Sequence, residues 1–165
     1  MTSDPATSEI VIAHDDPRRA DVTRLLEGHA ALMESLSPPG SCHYFDVEAL
    51  CVPAVTFWSA RQDDALLGCG ALYAHETADG EKISGEIKSM HTLERARGRG
   101  VGQMLLDAIV AEAKRRGYGR LSLETGSPEG FGAAQRLYAR NGFERCGPFA
   151  DYADDPFSLF MSKAL

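Results

Sequence analysis

The sequence predicts one α/β domain, residues 1–165, built on a mixed and mostly antiparallel sheet of six to seven strands with about four helices. Three observations carry that prediction. Segments of β-branched and aromatic residues alternate with segments of helical apolar spacing. Three strand-like segments follow one another through short turns, as a meander does. A strand–helix–strand unit then follows, which should close as a right-handed parallel crossover.

The elements read in order as follows. "EIVIAH" (9–14) is a first strand. Asp16 and Pro17 supply a cap followed by proline at the first helical position. Val22, Leu25, Leu26, His29, Leu32, Met33 and Leu36 recur at helical spacing, and "SPPGS" ends that helix. "DVEAL" is a short helical segment. "AVTFWSA", "LLGCGALYAH" and "KISGEIKSMHT" are the meander strands, joined by "QDDA" and by the Asp-Gly turn in "TADGE". A helix from Arg99 to Arg116 ends in Lys114, Arg115, Arg116 and Gly117, which suits a C-terminus. "GRLSLET" is a strand, Ser127 and Pro128 open a further helix that stops at Asn141-Gly142, and "GFERCG" and "PFSLFMSKAL" close the sheet.

Composition narrows the function. The net charge is −7, which argues against nucleic acid and anionic membranes as general partners. Hydrophobic content of 44% and charged content of 25% are those of a soluble globular chain. No stretch approaches the ~20 apolar residues of a membrane span. The N-terminal segment has neither a basic head nor a long apolar run, so a cytoplasmic protein with reduced thiols is expected. Cys42, Cys51, Cys69 and Cys146 form no CxxC pair and have no histidine at metal-ligand spacing, so no metal is expected.

Against this acidic background, "RARGRGVG" places Arg95, Arg97 and Arg99 with Gly98, Gly100 and Gly102 at the start of a helix. The first N–H groups of a helix lack internal partners and lie at the positive end of its dipole. Glycines let a ligand approach them closely, and arginines add charge. The segment reads as a pyrophosphate cradle. Neither GxGxxG nor GxxxxGK[ST] fits it, whereas RxxGxG does, through Arg97, Gly100 and Gly102.

About thirty residues later comes "LYARNGF" (137–143). With these two motifs and this element order, the chain resembles the GNAT superfamily of acetyl-CoA-dependent N-acetyltransferases over most of its length. Segments such as "LLGCGAL", "GEIKSM", "LSLETGS" and "CGPFADY" are similar to those of a bacterial subgroup of small acetyltransferases. The resemblance implies a GNAT fold in which the strands at "SMHT" and "SLET" splay apart to admit the pantetheine arm. It implies that Arg97, Gly98, Arg99, Gly100, Val101, Gly102 and Gln103 hold the pyrophosphate of acetyl-CoA. It implies that Met90, His91 and Thr92 pair their backbone with pantetheine, and that Tyr138 faces the thioester sulfur. Many members carry Asn seven residues before that tyrosine; here the position is Phe131.

The implied reaction is direct transfer of acetyl to a primary amine of a small molecule or peptide, in a ternary complex. Tyr138, with an ordinary pKa near ~10 against ~8.5 for a thiol, is the candidate proton donor to the leaving sulfur. Backbone N–H groups around Met90 or His91 are candidate oxyanion donors. Strict alternation puts Lys82, Ser84, Glu86, Lys88, Met90 and Thr92 on one face, and Ile83, Gly85, Ile87, Ser89 and His91 on the other. Glu86, charged on an interior strand, is the first candidate base, with Glu124 second and His91 and His43 behind them. His14, His29 and His75 read as structural. "SPPGSCHYF" and "CGPFADYADDP" would frame the acceptor, and Asp151, Asp154 and Asp155 would favour a cationic amine. Three rivals stand beside this reading: a non-catalytic CoA-binding or sensing module, transfer of another acyl group, and a nucleotide-binding protein without preference for CoA. A homodimer is the default expectation for assembly.

Overall fold

The computed structural model describes residues 8–75, 83–127 and 129–165. Seven strands, β1 (Ile10–His14), β2 (Val55–Gln62), β3 (Ala65–His75), β4 (Ser84–Thr92), β5 (Arg120–Gly126), β6 (Glu144–Cys146) and β7 (Ser158–Ala164), form one sheet. Three helices, α1 (Ala20–Leu36), α2 (Val101–Arg115) and α3 (Gly132–Arg140), connect and cover it. The strand order is β1-β2-β3-β4-β5-β7-β6, and every adjacent pair is antiparallel except β4–β5. The expected mixed α/β sheet and its parallel crossover through α2 are both present.

Several details differ from the sequence expectation. Asp16 and Pro17 do not cap α1. Asp16 Oδ1 accepts the Arg18 N–H in a turn that precedes the helix, and the Thr23 hydroxyl donates to the Pro17 carbonyl. "DVEAL" yields a 3-10 turn, Ala49–Cys51, pinned by the buried Leu50. The "TADGE" turn and Pro128 lie outside the described residues. A 3-10 turn, Glu129–Phe131, precedes α3.

Two cores flank the central strands. One, under α2, contains Leu72, Ile87, Val101, Leu105, Ile109, Leu121 and Leu123. The other, under α1, contains Val22, Leu25, Leu26, Phe57, Cys69 and Ala71. Because β3 supplies side chains to both, it reads as a nearly continuous apolar run.

Two irregularities in β4 make the site. First, β4 and β5 pair only from Ser84↔Arg120 to Glu86↔Ser122; beyond that point they part. Second, β4 bulges against β3. Cys69 pairs with His91 and Ala71 with Lys88, so Gly70 of β3 alone stands opposite Ser89 and Met90 of β4. Ser89 absorbs the extra residue at φ 56°. The bulge reverses the alternation beyond it. His91 therefore shares the α1 face with Glu86 and Lys88, while Met90 turns to the α2 core and packs at Gly70 beside Ile109. Strict alternation placed both residues on the opposite faces, because period-2 reading cannot register an inserted residue.

Candidate active site

The cradle lies between β4 and α2. Gly98 and Gly100 have φ of 77° and 80°, a region that costs other L-residues energy, and Gly100 is the residue from which α2 starts. A Cβ at either would meet nothing within 4 Å, so the space above the turn is open. Arg97 N–H closes the preceding turn onto Glu94, and the helical ladder resumes with Met104 N–H donating to Gly100. Among the described residues, the backbone N–H groups from Gly98 to Gln103 between them find no acceptor in the protein. A row of donors at a helix N-terminus has the geometry to hold an anion.

The side chains around it divide the work. Arg97 is exposed and makes no ion pair among the described residues. Arg99 reaches across to the Gln62 amide, 2.5 Å away. Arg95 instead donates to the Leu66 carbonyl at 2.7 Å and ties the turn to β3. Gln103 exchanges two 2.8 Å hydrogen bonds with Asn141 at the end of α3, which fixes the two helices side by side. Val101 is buried in the core, and Gly102 lets Thr92 and Leu137 approach.

The gap between β4 and β5 holds a slot of about 90 Å³. Ile87, Lys88, Ser89 and Met90 line one wall, Glu124 and Thr125 the other, and Phe131 and Tyr138 the α3 side. Phe131 stands where an added Cβ on Gly126 would fall, its ring atoms only 2.1 Å from that point. Tyr138 is buried, and burial pushes its phenol pKa up. It therefore stays protonated, as a hydrogen-bond donor must. His91 Nδ1 lies 3.1 Å from Nδ1 of His29 on α1. Burial, reinforced by His91, pushes His29 down to about 4; burial and Arg97 lower His91. At neutral pH the pair is uncharged, with one ring donating to the other.

Two carboxylates flank the splay, and their surroundings differ. Glu86 and Lys88 are only 3% and 6% exposed, yet both are satisfied. Glu86 Oε1 lies 2.9 Å from His75 Nε2, and Oε2 accepts from the Tyr152 hydroxyl at 2.6 Å and pairs with Lys88 at 3.3 Å. Lys88 also donates to Tyr152 at 2.9 Å and lies 4.4 Å from the Phe45 ring centroid. Burial alone would raise the Glu86 pKa, but His75, Lys88 and Tyr152 outweigh it and hold it low. Glu86 does not line the slot. Glu124 does, and its Oε2 is buried with no partner other than the Ser158 hydroxyl. Burial pushes its pKa up to about 7, aided by the charges of Glu86 and Asp155 and opposed by Ser158 and Lys88. Ser158 Oγ has no hydrogen-bond partner besides this carboxyl.

The two loops expected to frame the acceptor do meet over this end of the slot. Ser41 donates to Asp155 at 2.7 Å, and His43 packs edge-on against Tyr152 at 5.2 Å. His43 and Tyr44 line the slot. Tyr44 also lines a larger recess, about 640 Å³, bordered by Glu34, Cys42 and Asp46. Tyr152 and His75 were not singled out by sequence reasoning as partners of Glu86. Nothing local signals a contact that spans 66 residues. Lys163, at the far end of the sheet, donates to the Asn141 carbonyl. Among the described residues, no group of three or more His, Cys, Asp or Glu could hold a metal ion, and no helix is long and apolar enough to cross a membrane.

The parallel strand pair thus opens beside a helix N-terminus rich in free N–H groups. The acetyltransferase (GNAT) family matches residues 25–143, and the chain belongs to that family. It is 46% identical to the uncharacterized N-acetyltransferase YsnE of Bacillus subtilis, over 92% of this chain and 97% of that protein. A crystal structure assigned as an acyl-CoA N-acyltransferase from Klebsiella pneumoniae superposes with a TM-score of 0.75 at 31% identity, covering 94% of this chain and 97% of the other. A GNAT acetyltransferase from Elizabethkingia anophelis, solved with acetyl-CoA bound, shares the fold with a TM-score of 0.63 at 18% identity, covering 94% and 98%.

Proposed function

We propose that this protein moves an acetyl group from acetyl-CoA to a primary amine of a small molecule or peptide, by direct attack within a ternary complex. The observation that carries the reading is the free N–H row at Gly98–Gln103, found together with a slot in the β4–β5 gap that Tyr138 lines. Pyrophosphate at the cradle would direct the pantetheine arm past Met90, His91 and Thr92 and bring the thioester toward the phenol. The acetyl-CoA bound to the Elizabethkingia protein supports the choice of donor.

Direct attack fits the cysteines. Burial pushes the Cys69 thiol up to about 12, and its Sγ is bonded to the Ser89 carbonyl. Burial, then Glu34 and Glu124, raise the Cys42 thiol. Neither supplies a thiolate for an acyl-enzyme. Tyr138 would donate to the sulfur as the C–S bond breaks. The recess bordered by Glu34 and Asp46, with no basic residue in its lining, suits a cationic acceptor.

Calorimetric titration with acetyl-CoA, CoA and ATP, followed by thiol-release assays across primary amines, tests the reading. Binding of acetyl-CoA but not ATP, with amine-dependent thiol release, is expected. Binding without release from any amine would favour a non-catalytic CoA module. No binding would remove the cradle assignment. Release from succinyl-CoA in preference to acetyl-CoA would change the acyl group.

A further inference from the structure

We propose that Phe131 limits the length of the acyl group this protein accepts. Its ring, wedged against Gly126, closes the slot, so that an acetyl group on CoA fits and a butyryl group does not. The inference rests on the transferase reading above and deepens it. It starts from two glycines in the connection between β5 and α3. A Cβ on Gly126 would lie 2.1 Å from Cδ2 of Phe131 and 2.2 Å from Cε2, so the ring covers the bare end of β5. A Cβ on Gly130 would lie 2.7 Å from Leu36, the last residue of α1. Neither glycine has a positive φ. Backbone conformation therefore does not call for glycine at either position. What calls for it is the space that Phe131 and Leu36 occupy.

Further contacts hold this wall in place. The Gln135 side-chain amide on α3 donates to the Gly126 carbonyl at 2.7 Å, and Gly126 pairs with Ser158 of β7. The ring thus rests on backbone that is tied to its neighbours on two sides. In an interior packed at crystal density, it has no room to swing back without displacing them.

Helical spacing fixes what the ring faces. Phe131, Ala134 and Tyr138 stand at i, i+3 and i+7, one at the entry to α3 and two within it, so they share a side of that helix. All three line the slot, and Ile87 and Met90 of β4 add apolar surface to it. At the rise of an α-helix, seven residues put the two rings about 10 Å apart along the axis, with only the methyl group of Ala134 between them. The result is a notch with an aromatic wall at each end. A thioester sulfur beside Tyr138 directs the acyl carbons into that notch, toward Phe131.

Size then decides which acyl groups enter. The whole slot is about 90 Å³, which is the liquid volume of about three water molecules. Acetyl, with three heavy atoms, matches that space. Butyryl carries two more, and they can be housed only where the Phe131 ring stands. Overfilling a packed site forces side chains off their rotamers, so the longer chain is refused.

The test is a calorimetric series with CoA, acetyl-CoA, propionyl-CoA, butyryl-CoA and hexanoyl-CoA on wild type and Phe131→Ala. Each Kd is referred to that of CoA in the same protein, so that a general loss of cofactor affinity cancels. Thiol release with a panel of primary amines runs beside it. In the wild type, butyryl-CoA should bind about tenfold or more weakly than acetyl-CoA, and kcat/KM should fall by at least as much. Phe131→Ala should bring the two affinities within about threefold of each other. Equal binding of acetyl-CoA and butyryl-CoA by the wild type would overturn the proposal, and so would a butyryl penalty that survives in Phe131→Ala. Should Phe131→Ala fail to fold, Phe131→Leu keeps an apolar side chain in the wall and should relieve part of the penalty; an undiminished penalty there would overturn the proposal as well. Binding without thiol release from any amine would remove the transferase reading alone, because the Kd series reads Phe131 without turnover. No binding of CoA or acetyl-CoA would remove both.

Discussion

Glu86 and Glu124 are the same residue type, two positions out of step on adjacent strands, with opposite surroundings. One is held ionised by a cation and two donors, and the other is pushed up to about 7 by burial, which outweighs Ser158 and Lys88. Sequence reasoning identified both as candidates from charge on interior strands, and ranked Glu86 first because it shares a strand face with Lys88. That pairing exists, at 3.3 Å. What alternation cannot show is whether a paired carboxylate has any oxygen left to use. Tyr138 offers a prediction at this scale. Its phenol is kept protonated by burial, so Tyr138→Phe should cut kcat by tenfold or more with acetyl-CoA affinity nearly unchanged. Calorimetry beside steady-state kinetics checks this, and an unaltered kcat would remove Tyr138 as the donor to sulfur.

At the scale of elements, the cradle and the bulge had different legibility. The glycine–arginine turn was readable because its chemistry is local: positive φ and unpaired N–H groups within one helix start. Gly100 at φ 80° with open space beyond it bears this out. Gly100→Glu should weaken acetyl-CoA binding by more than tenfold, since it places a carboxylate at the anion site. It should also cost about 1–2 kcal/mol for the left-handed backbone. Gly100→Asn, which tolerates that conformation, separates the two effects and should lose little stability. Equal acetyl-CoA affinity in Gly100→Glu and wild type would remove the cradle. The Ser89 bulge, by contrast, was not readable. It exists in the register between β3 and β4 and has no signal in "KSMH" itself.

The whole molecule is tied together by groups that titrate. Asp15 bridges β1 to β2 through Ser59 and Arg61, and Asp21 of α1 shares the same guanidinium. Burial acts to raise the Asp15 pKa, but Ser59, the Asp16 N–H and Arg61 bring it below its ordinary value; Arg61 lowers Asp21. His29, which seats α1 on β4, is pushed down to about 4. For a group whose pKa is depressed by folding, stability is present above the unfolded pKa and is lost as pH falls through the folded one. The His29 contribution should therefore begin to fall below about pH 6.5 and be lost through about pH 4, with the aspartates following below their ordinary range. A thermal-denaturation series from pH 7.5 to 4 should show a falling midpoint temperature. His29→Gln should lose less across that interval, and parallel curves for the two would exclude His29 as the cause.

The sequence by itself determined the element order and the family, and it located the glycine-rich start of α2, because these depend on periodicity and on turn chemistry within a few residues. It also marked Glu86 and Lys88 as charges that an interior strand does not carry without reason, and named Glu124 on the neighbouring strand as a second candidate. Tertiary structure alone decided the rest. Whether Met90 or His91 faces α1 depended on one inserted residue in β4. Whether Glu86 keeps an unpaired oxygen depended on Tyr152 arriving from 66 residues away. Those outcomes rest on contacts between segments distant in the chain. The pKa of a buried group is set by the neighbours such contacts supply, not by the residues beside it in sequence.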